Sequence, residues 1–318
     1  GEKVILGKSA CYINVAEGVN YKFVKHVLNS PAFQEYLVRF STGTTIKNAS
    51  LQQIREYTFL LPPLHVQDSI AATLSCLDDK IELNSRIIAN LEAQAQAIFK
   101  SWFVDFEPFQ DGEFEDSELG MIPKGWRVDN LIGIADYLNG LAMQKYRPAE
   151  GDGLPVLKIK ELRQGFCDAS SDRCTSELEH KYIVQDGDVI FSWSGSLMID
   201  LWCGGLCGLN QHLFKVTSEC YEKWFYYLWT KFHMEQFIAI ARDKATTMGH
   251  IKREALENAL VAVPDELTFA KANGLLKPMI EAIILHRIEN KKLASARDTL
   301  LPKLMSGEIE VPVEEKHV

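Results

Sequence analysis

No stretch of this chain runs to eighteen consecutive apolar residues, so no segment reads as a membrane-crossing helix. The first residues, Gly1-Glu2-Lys3-Val4, show neither a signal-peptide pattern nor an initiating Met, which predicts a fragment or a processed chain. The seven cysteines are odd in number and irregularly spaced. Cys203 and Cys207 stand four apart, but no further Cys or His pair at finger-like spacing completes a zinc site. Reduced thiols of a cytoplasmic protein are the simpler reading. Catalytic signatures are missing too. There is no Asn/Asp-Pro-Pro-Tyr/Phe run to hold a flipped base. Gly7-Lys8-Ser9 lacks the upstream glycine of a phosphate loop, since Glu2 stands there. Neither a Gly-x-Ser-x-Gly nor a His-Glu-x-x-His occurs, nor the spaced acids and lysine of many nucleases. These absences predict a chain that is not an enzyme and holds no metal or cofactor of its own.

The chain also lacks a positive balance, with 34 basic and 43 acidic residues and a net charge of −9. The excess is concentrated. Residues 105–119 hold seven acids and no base, which leaves −2 for all the rest. That stretch reads as a solvated tether rather than a metal cluster. A nearly neutral body makes no large basic footprint. If it meets DNA, a partner supplies part of the phosphate contact.

What the sequence does contain is a repeat. Residues 44–62 align without gaps to residues 246–264 at an offset of 202. Thr44, Thr45, Ile54 and Pro62 meet Thr246, Thr247, Leu256 and Pro264. Each copy reads as a Thr-Thr loop, a short helical turn, an apolar strand and a proline stop. Upstream, QEYL (34–37) parallels EQFI (235–238). Extending the offset predicts a first copy short of about 80 residues at its front.

Each copy continues into a long helix. Leu74, Leu77, Ile81, Asn84, Ile88, Leu91, Ala95, Ile98 and Trp102 step alternately by three and four, a coiled-coil seam. The offset gives a weaker second seam of Leu276, Met279, Ile283, His286, Asn290, Leu293, Arg297, Leu300 and Leu304. Asn84 and His286 fall on the same step, where a polar residue fixes register at some loss of stability. Two ordinary core helices would give a similar pattern. About 40 residues at ~1.5 Å each make a helix roughly 60 Å long. Packed antiparallel, two such helices would separate two domains, as two DNA sites at a fixed gap require. The fold class is α/β (α+β) domains joined by a long two-helix antiparallel coiled coil. The expected boundaries are 1–62 for the rear of a first domain, 63–104 for the central helix and 105–119 for the acidic linker. A complete second domain (120–264), a distal helix (265–308) and a tail (309–318) follow.

Several segments resemble the specificity subunit of type I restriction-modification systems. MIPKGWRV (121–128) is similar to the opening of a target-recognition domain, and DGDVIFSWSGS (186–196) to its strand-and-loop element. LPPLHVQDSIAATLSCLDDKIELNSRI (61–87) resembles the family's central helix. Thr246 through Pro264, with the closing LLPKLMSGEI (300–309), resembles its domain exit and last helix. The likeness covers nearly the whole chain, and the short first domain departs from it. The resemblance implies two recognition domains at opposite ends of a coiled coil, each reading half of a bipartite double-stranded DNA target. It implies modification (methyltransferase) subunits docked on the helices, joined by restriction (nuclease-translocase) subunits. S-adenosylmethionine and ATP would then sit on those partners. No membrane is implied, and self-association stays open.

Four segments of 120–264 carry the polar and basic residues that reach bases or phosphates. Lys158, Lys160 and Arg163 read as alternating bases on a strand or its end. Ser194 and Ser196 flank Gly195, after an apolar strand. Gln211 and His212 lie between a Gly-rich turn and the next strand. Thr247, His250, Lys252 and Arg253 sit where a helix starts, where backbone N–H groups favour a phosphate. In the first copy, Lys47 reads as a phosphate contact. Each has a plainer alternative: a solvated strand face for the lysines, and a satisfied histidine for His212. Trp193 reads as core, and so do the aromatics of 221–232, which single-strand stacking explains less well. A coiled-coil scaffold that no longer reads DNA is the competing function.

Overall fold

The computed structural model describes residues 10–40, 49–148, 153–243 and 249–311. The chain divides into two compact units, residues 1–84 with 289–318, and residues 85–288. Two long helices, Leu64–Phe103 and Glu266–Ser306, contribute residues to both.

In the first unit, helices Tyr21–Asn29, Pro31–Phe40 and Leu51–Glu56 accompany parts of the long ones. Asn20 starts the first of these. Its Oδ1 accepts from the N–H groups of Lys22 and Phe23 at 2.8 and 3.1 Å, satisfying donors that a helix start leaves open. Its own N–H donates to Gln67 Oε1 at 2.9 Å, which ties this start to the long helix. Phe23, Val24 and Val27 then bury against Ile70, Ala71, Leu74, Leu301 and Leu304. Full burial of a side chain such as Leu74 stabilises the fold by about 1.5–3 kcal/mol. Asp78 meets Arg297 at 2.8 Å and Asn84 meets Asn290 at 2.9 Å, so the helices run antiparallel here. The apolar segment after Leu51–Glu56 forms no strand, unlike its repeat counterpart. No strand among the described residues of this unit lies beside it to make a ladder.

The second unit is α+β. One antiparallel sheet has the order Asp136–Asn139, Leu213–Thr217, Val189–Ser192, Met198–Leu201. A second has the order Arg173–Cys174, Leu154–Leu157, Cys207–Leu209, Ile183–Val184, with the central pair parallel. Leu260–Val263 pairs with Arg127–Asn130, which brings the domain's exit back to its opening. The helix Lys223–Phe232 buries every residue from Trp224 to Thr230, so its aromatics are core on all sides rather than along one stripe. Phe99 meets Trp229 edge-on at 5.0 Å, and Phe103 lies 5.6 Å from Trp224. In this unit too the long helices are antiparallel partners, with Glu92 at 2.7 Å from Arg287.

The two helices form the coiled coil, and the seam faces inward. Leu74, Asn84 and Ile283 are fully buried. Leu77, Ile81, Ile88, Leu91, His286, Leu293 and Leu300 are half-buried. The seam extends one step back to the buried Ile70, and burial also reaches the off-seam residues Phe99 and Phe103, because globular elements cover a second side of the helices.

The acidic stretch corrects its sequence reading. It is not a free tether: Phe114–Ser117 forms a hairpin with Gly120–Pro123. Phe106 and Phe109 pack edge-on against Trp126 at 5.5 and 5.2 Å. Glu113 pairs with Lys124 at 2.6 Å, and Glu115 accepts from the Gly125 N–H at 3.0 Å. Phe106 and Phe109 thus anchor the segment while most of its acids stay in water.

Candidate nucleic-acid interface

Most of the proposed reading residues converge on one surface of the second unit. The strand Val189–Ser192 ends in Trp193-Ser194-Gly195-Ser196. Gly195 turns at φ +65°, a left-handed conformation that favours glycine. Its N–H donates to the Gly249 carbonyl at 2.9 Å, and the Ile251 N–H donates to the Trp193 carbonyl at 3.1 Å. These bonds lay residues 249–251 along the loop and set His250 opposite Ser194.

Residues 210–212 connect strands that belong to different sheets, Cys207–Leu209 and Leu213–Thr217. Gly140 makes this crossing possible. A Cβ there would stand 2.3 Å from the Asn210 carbonyl oxygen and 2.4 Å from that of Leu209. With no side chain in the way, the Leu141 N–H donates to the Leu209 carbonyl and the Gln211 N–H to the Leu141 carbonyl, both at 2.9 Å. Asn210 Oδ1 accepts from the His212 N–H at 3.3 Å. The loop is therefore fixed by backbone bonds on one side and a buried side chain on the other.

The side chains then meet. Ser194 Oγ lies 3.2 Å from His212 Nδ1, and Gln211 Nε2 lies 3.4 Å from His212 Nε2. Ser194 is buried, Gln211 half-buried, and His212 and His250 exposed. Trp193, read from sequence as core, lies half-buried among these groups. Its ring centre is 6.0 Å from His212 and 6.5 Å from His250. Arg163 reaches the same place from the helix Ile159–Gln164 and donates to Ser196 Oγ. The result is a polar centre of hydroxyl, amide and imidazole groups with one guanidinium at its edge.

Lys158 stands at a strand end, as one reading of the sequence has it, but Lys160 lies in a helix, so the two do not alternate along a strand. The strand ends at Leu157 and a helix begins at Ile159, where Glu161 Oε2 accepts from the Lys158 N–H at 3.2 Å. Lys158 pairs with Asp172, and Lys160 contacts Asp168 at 3.4 Å and Ser170 at 2.7 Å. Hydrogen bonds from Ser170 push the Asp168 carboxyl down to about 2, and Lys158 lowers that of Asp172. Both acids stay charged at neutral pH and offset the two lysines. Lys252 and Arg253 lie exposed at the start of the helix Arg253–Glu257. Five residues align few peptide dipoles, so any phosphate contact there falls to the side chains. Lys47 and Thr247 lie outside the described residues, as do the paired threonines of both repeats.

Of the residues that hold this surface, Trp193 and Asn210 fall within segments that the sequence singles out (192–196 and 210–212), whereas Asn139 and Gly140 do not. The Asn139-Gly140 dipeptide signals a turn, but nothing local names its partners. Among the described residues no group of three or more His, Cys, Asp or Glu is placed to hold a metal ion. No helix among them is long and apolar enough to cross a membrane.

Comparison with known proteins bears on the family and the fold. The type I restriction modification DNA specificity domain matches residues 1–93 and 123–291. The MjaIX specificity subunit of Methanocaldococcus jannaschii is 30% identical, over 93% of this chain and 70% of that protein. The HindI specificity subunit of Haemophilus influenzae is 22% identical, over 91% and 77%. The crystal structure of the type I S subunit from M. genitalium superposes with a TM-score of 0.51 at 17% identity, over 90% of this chain and 73% of that one, a likeness of fold. Two matched segments separated by the acidic hairpin, and a relative aligned over nearly the whole chain, place this protein in the family of type I restriction-modification DNA specificity subunits, whose members are not themselves catalytic.

Proposed function

We propose that this chain reads one half of a bipartite double-stranded DNA target through the surface formed by Arg163, Ser194, Ser196, Gln211, His212 and His250. The observation that carries this reading is their convergence from three separate loops and a helix onto one fixed, solvent-facing patch. Hydroxyl, amide, imidazole and guanidinium groups suit base edges in the major groove, where each base pair shows a distinct pattern. Lys252 and Arg253, exposed beside that patch, suit phosphates, which position the protein without reading sequence. The near-neutral body implies that partners supply part of the phosphate contact.

Those partners are two modification subunits held on the coiled coil, with restriction subunits added to that core in the cytoplasm. S-adenosylmethionine and ATP are bound by them, not by this chain. The test is co-expression with the modification subunit, light scattering for mass, and selection from a pool of randomised duplexes. A complex with two modification subunits and an enriched sequence motif supports the proposal. A chain that stays alone, or a complex that enriches no motif, contradicts it.

A further inference from the structure

We infer that Asn139 is a further specificity-determining residue of this surface, donating from its amide to a hydrogen-bond acceptor on a base edge, with Trp193 as its positioning residue. The inference rests on the proposal that this surface faces DNA.

Asn139 is the last residue of its strand, and its side chain is exposed. Trp193 Nε1 donates to its Oδ1 at 3.1 Å. An indole nitrogen only donates, so the amide atom that faces it must be the oxygen. The NH2 group is thereby turned away from Trp193. The indole is itself held. Its ring centre lies 5.8 Å from that of Phe214, and Phe214 pairs in register with Asn139. The next residue is Gly140, whose close approach to Asn210 fixes the backbone. An amide side chain free on most surfaces is thus ordered before any DNA arrives, which removes part of the entropy loss on binding.

The chemistry of the acceptor follows from the orientation. A fixed NH2 selects purine N7, guanine O6 or thymine O4 over the donor groups of adenine N6 and cytosine N4. Phosphate is a poorer match, because Asn139 is neutral and the indole that orients it carries no charge. The indole that orients Asn139 also borders His212 and His250, so the three belong to one reading patch.

The experiment uses the full chain assembled with its modification subunits and the randomised-duplex selection, on wild type, Asn139→Ala, Asn139→Asp and Trp193→Phe. Asn139→Ala is expected to relax the preference at one base pair by roughly tenfold, leaving other positions and the salt dependence unchanged. Asn139→Asp, which offers only acceptors, should move that preference toward a donor-bearing base. Trp193→Phe should relax the same position, and the double variant with Asn139→Ala should relax it no further. Unchanged preference at every position overturns the inference. So does a uniform loss of affinity with a shallower salt dependence, which would mark a phosphate contact. A wild-type complex that enriches no motif overturns the reading surface and this inference with it.

Discussion

Asn84 Nδ2 donates to Asn290 Oδ1 at 2.9 Å and to Glu289 Oε2 at 2.7 Å, across two antiparallel helices. Asn84 is fully buried on a seam that is otherwise mostly apolar, and its own Oδ1 has no partner. A buried amide with an unmet acceptor is a poor source of stability. Its value lies in registry, because a one-step slide of either helix would strand the whole amide in apolar surroundings.

Asn84→Leu is therefore expected to stabilise the helix pair while weakening its register. Removing the unmet acceptor and adding apolar burial gives about 1–3 kcal/mol. Calorimetry should show a raised Tm, and disulfide trapping at paired seam positions should show more than one register. A lowered Tm would mean that the bonds to Asn290 and Glu289 outweigh the unmet acceptor.

Stability should also depend on pH through two buried histidines. Burial lowers the pKa of His26 below 6.5, against the opposing pull of the Asp78 carboxylate 3.6 Å away. Burial likewise lowers that of His233, whose Nε2 lies 2.9 Å from the Leu260 carbonyl. Both stay neutral in the folded chain while the unfolded chain takes up protons near 6.5. The unfolded state then binds more protons, so stability falls as pH drops through that value and levels off below the folded pKa. Melting curves between pH 7 and 5 should show this loss, and a His26→Asn, His233→Asn double variant should show a flatter profile. An equally steep profile in the double variant would assign the loss to other groups.

Arg287 joins three elements of the second unit. It donates to Glu92 and Asp200, each at 2.7 Å, and to the Leu201 carbonyl at 3.0 Å. The site is partly open to water, with about a quarter of each side chain exposed. Arg287→Met keeps the stem but leaves both carboxylates without their shared cation. The loss should fall between that of an exposed and a buried pair, about 1–3 kcal/mol. Urea unfolding measures it, and a loss under a few tenths of a kcal/mol would mean the carboxylates are fully rehydrated.

How much of this was legible beforehand follows from the range of the interactions. The seam from Leu74 to Trp102 is a local repeat, so period alone located it, and the second seam could be read despite Asn290 and Arg297 because the offset carried it. The hairpin at 114–123 is not legible because its strand Phe114–Ser117 is mostly acidic and carries one large apolar residue, too little for a period-two pattern. The i, i+2 spacing of Lys158 and Lys160 fits a strand or its end, and Lys158 does follow the last strand residue, Leu157, but Lys160 lies in a helix. What starts that helix is Glu161 bonding the Lys158 N–H, and Lys158 is not a residue type that marks a helix start. The reading surface was legible as four segments, not as one patch. Ser194, His212 and His250 are brought together by Gly140 and by the strand-like contact at Gly249, both long-range in the chain. Asn139 and Trp193 meet across 54 positions, which no local pattern encodes.

Salt dependence separates the two kinds of contact on the proposed DNA-binding side. Each phosphate neutralised releases counterions, so the logarithm of affinity falls with the logarithm of salt by roughly one per contact. Lys252→Ala with Arg253→Ala should weaken binding to every duplex alike and reduce that slope by about two. His212→Ala should leave the slope unchanged and relax preference at a single base pair, since the imidazole sits between Ser194 and Gln211 rather than among cations. Titrations across a salt series, with the selected duplex and a scrambled one, check both at once. If Lys252 and Arg253 change specificity while His212 changes the slope, the base and phosphate roles assigned to the two segments are reversed. If neither pair changes anything, the DNA lies on another face of this unit.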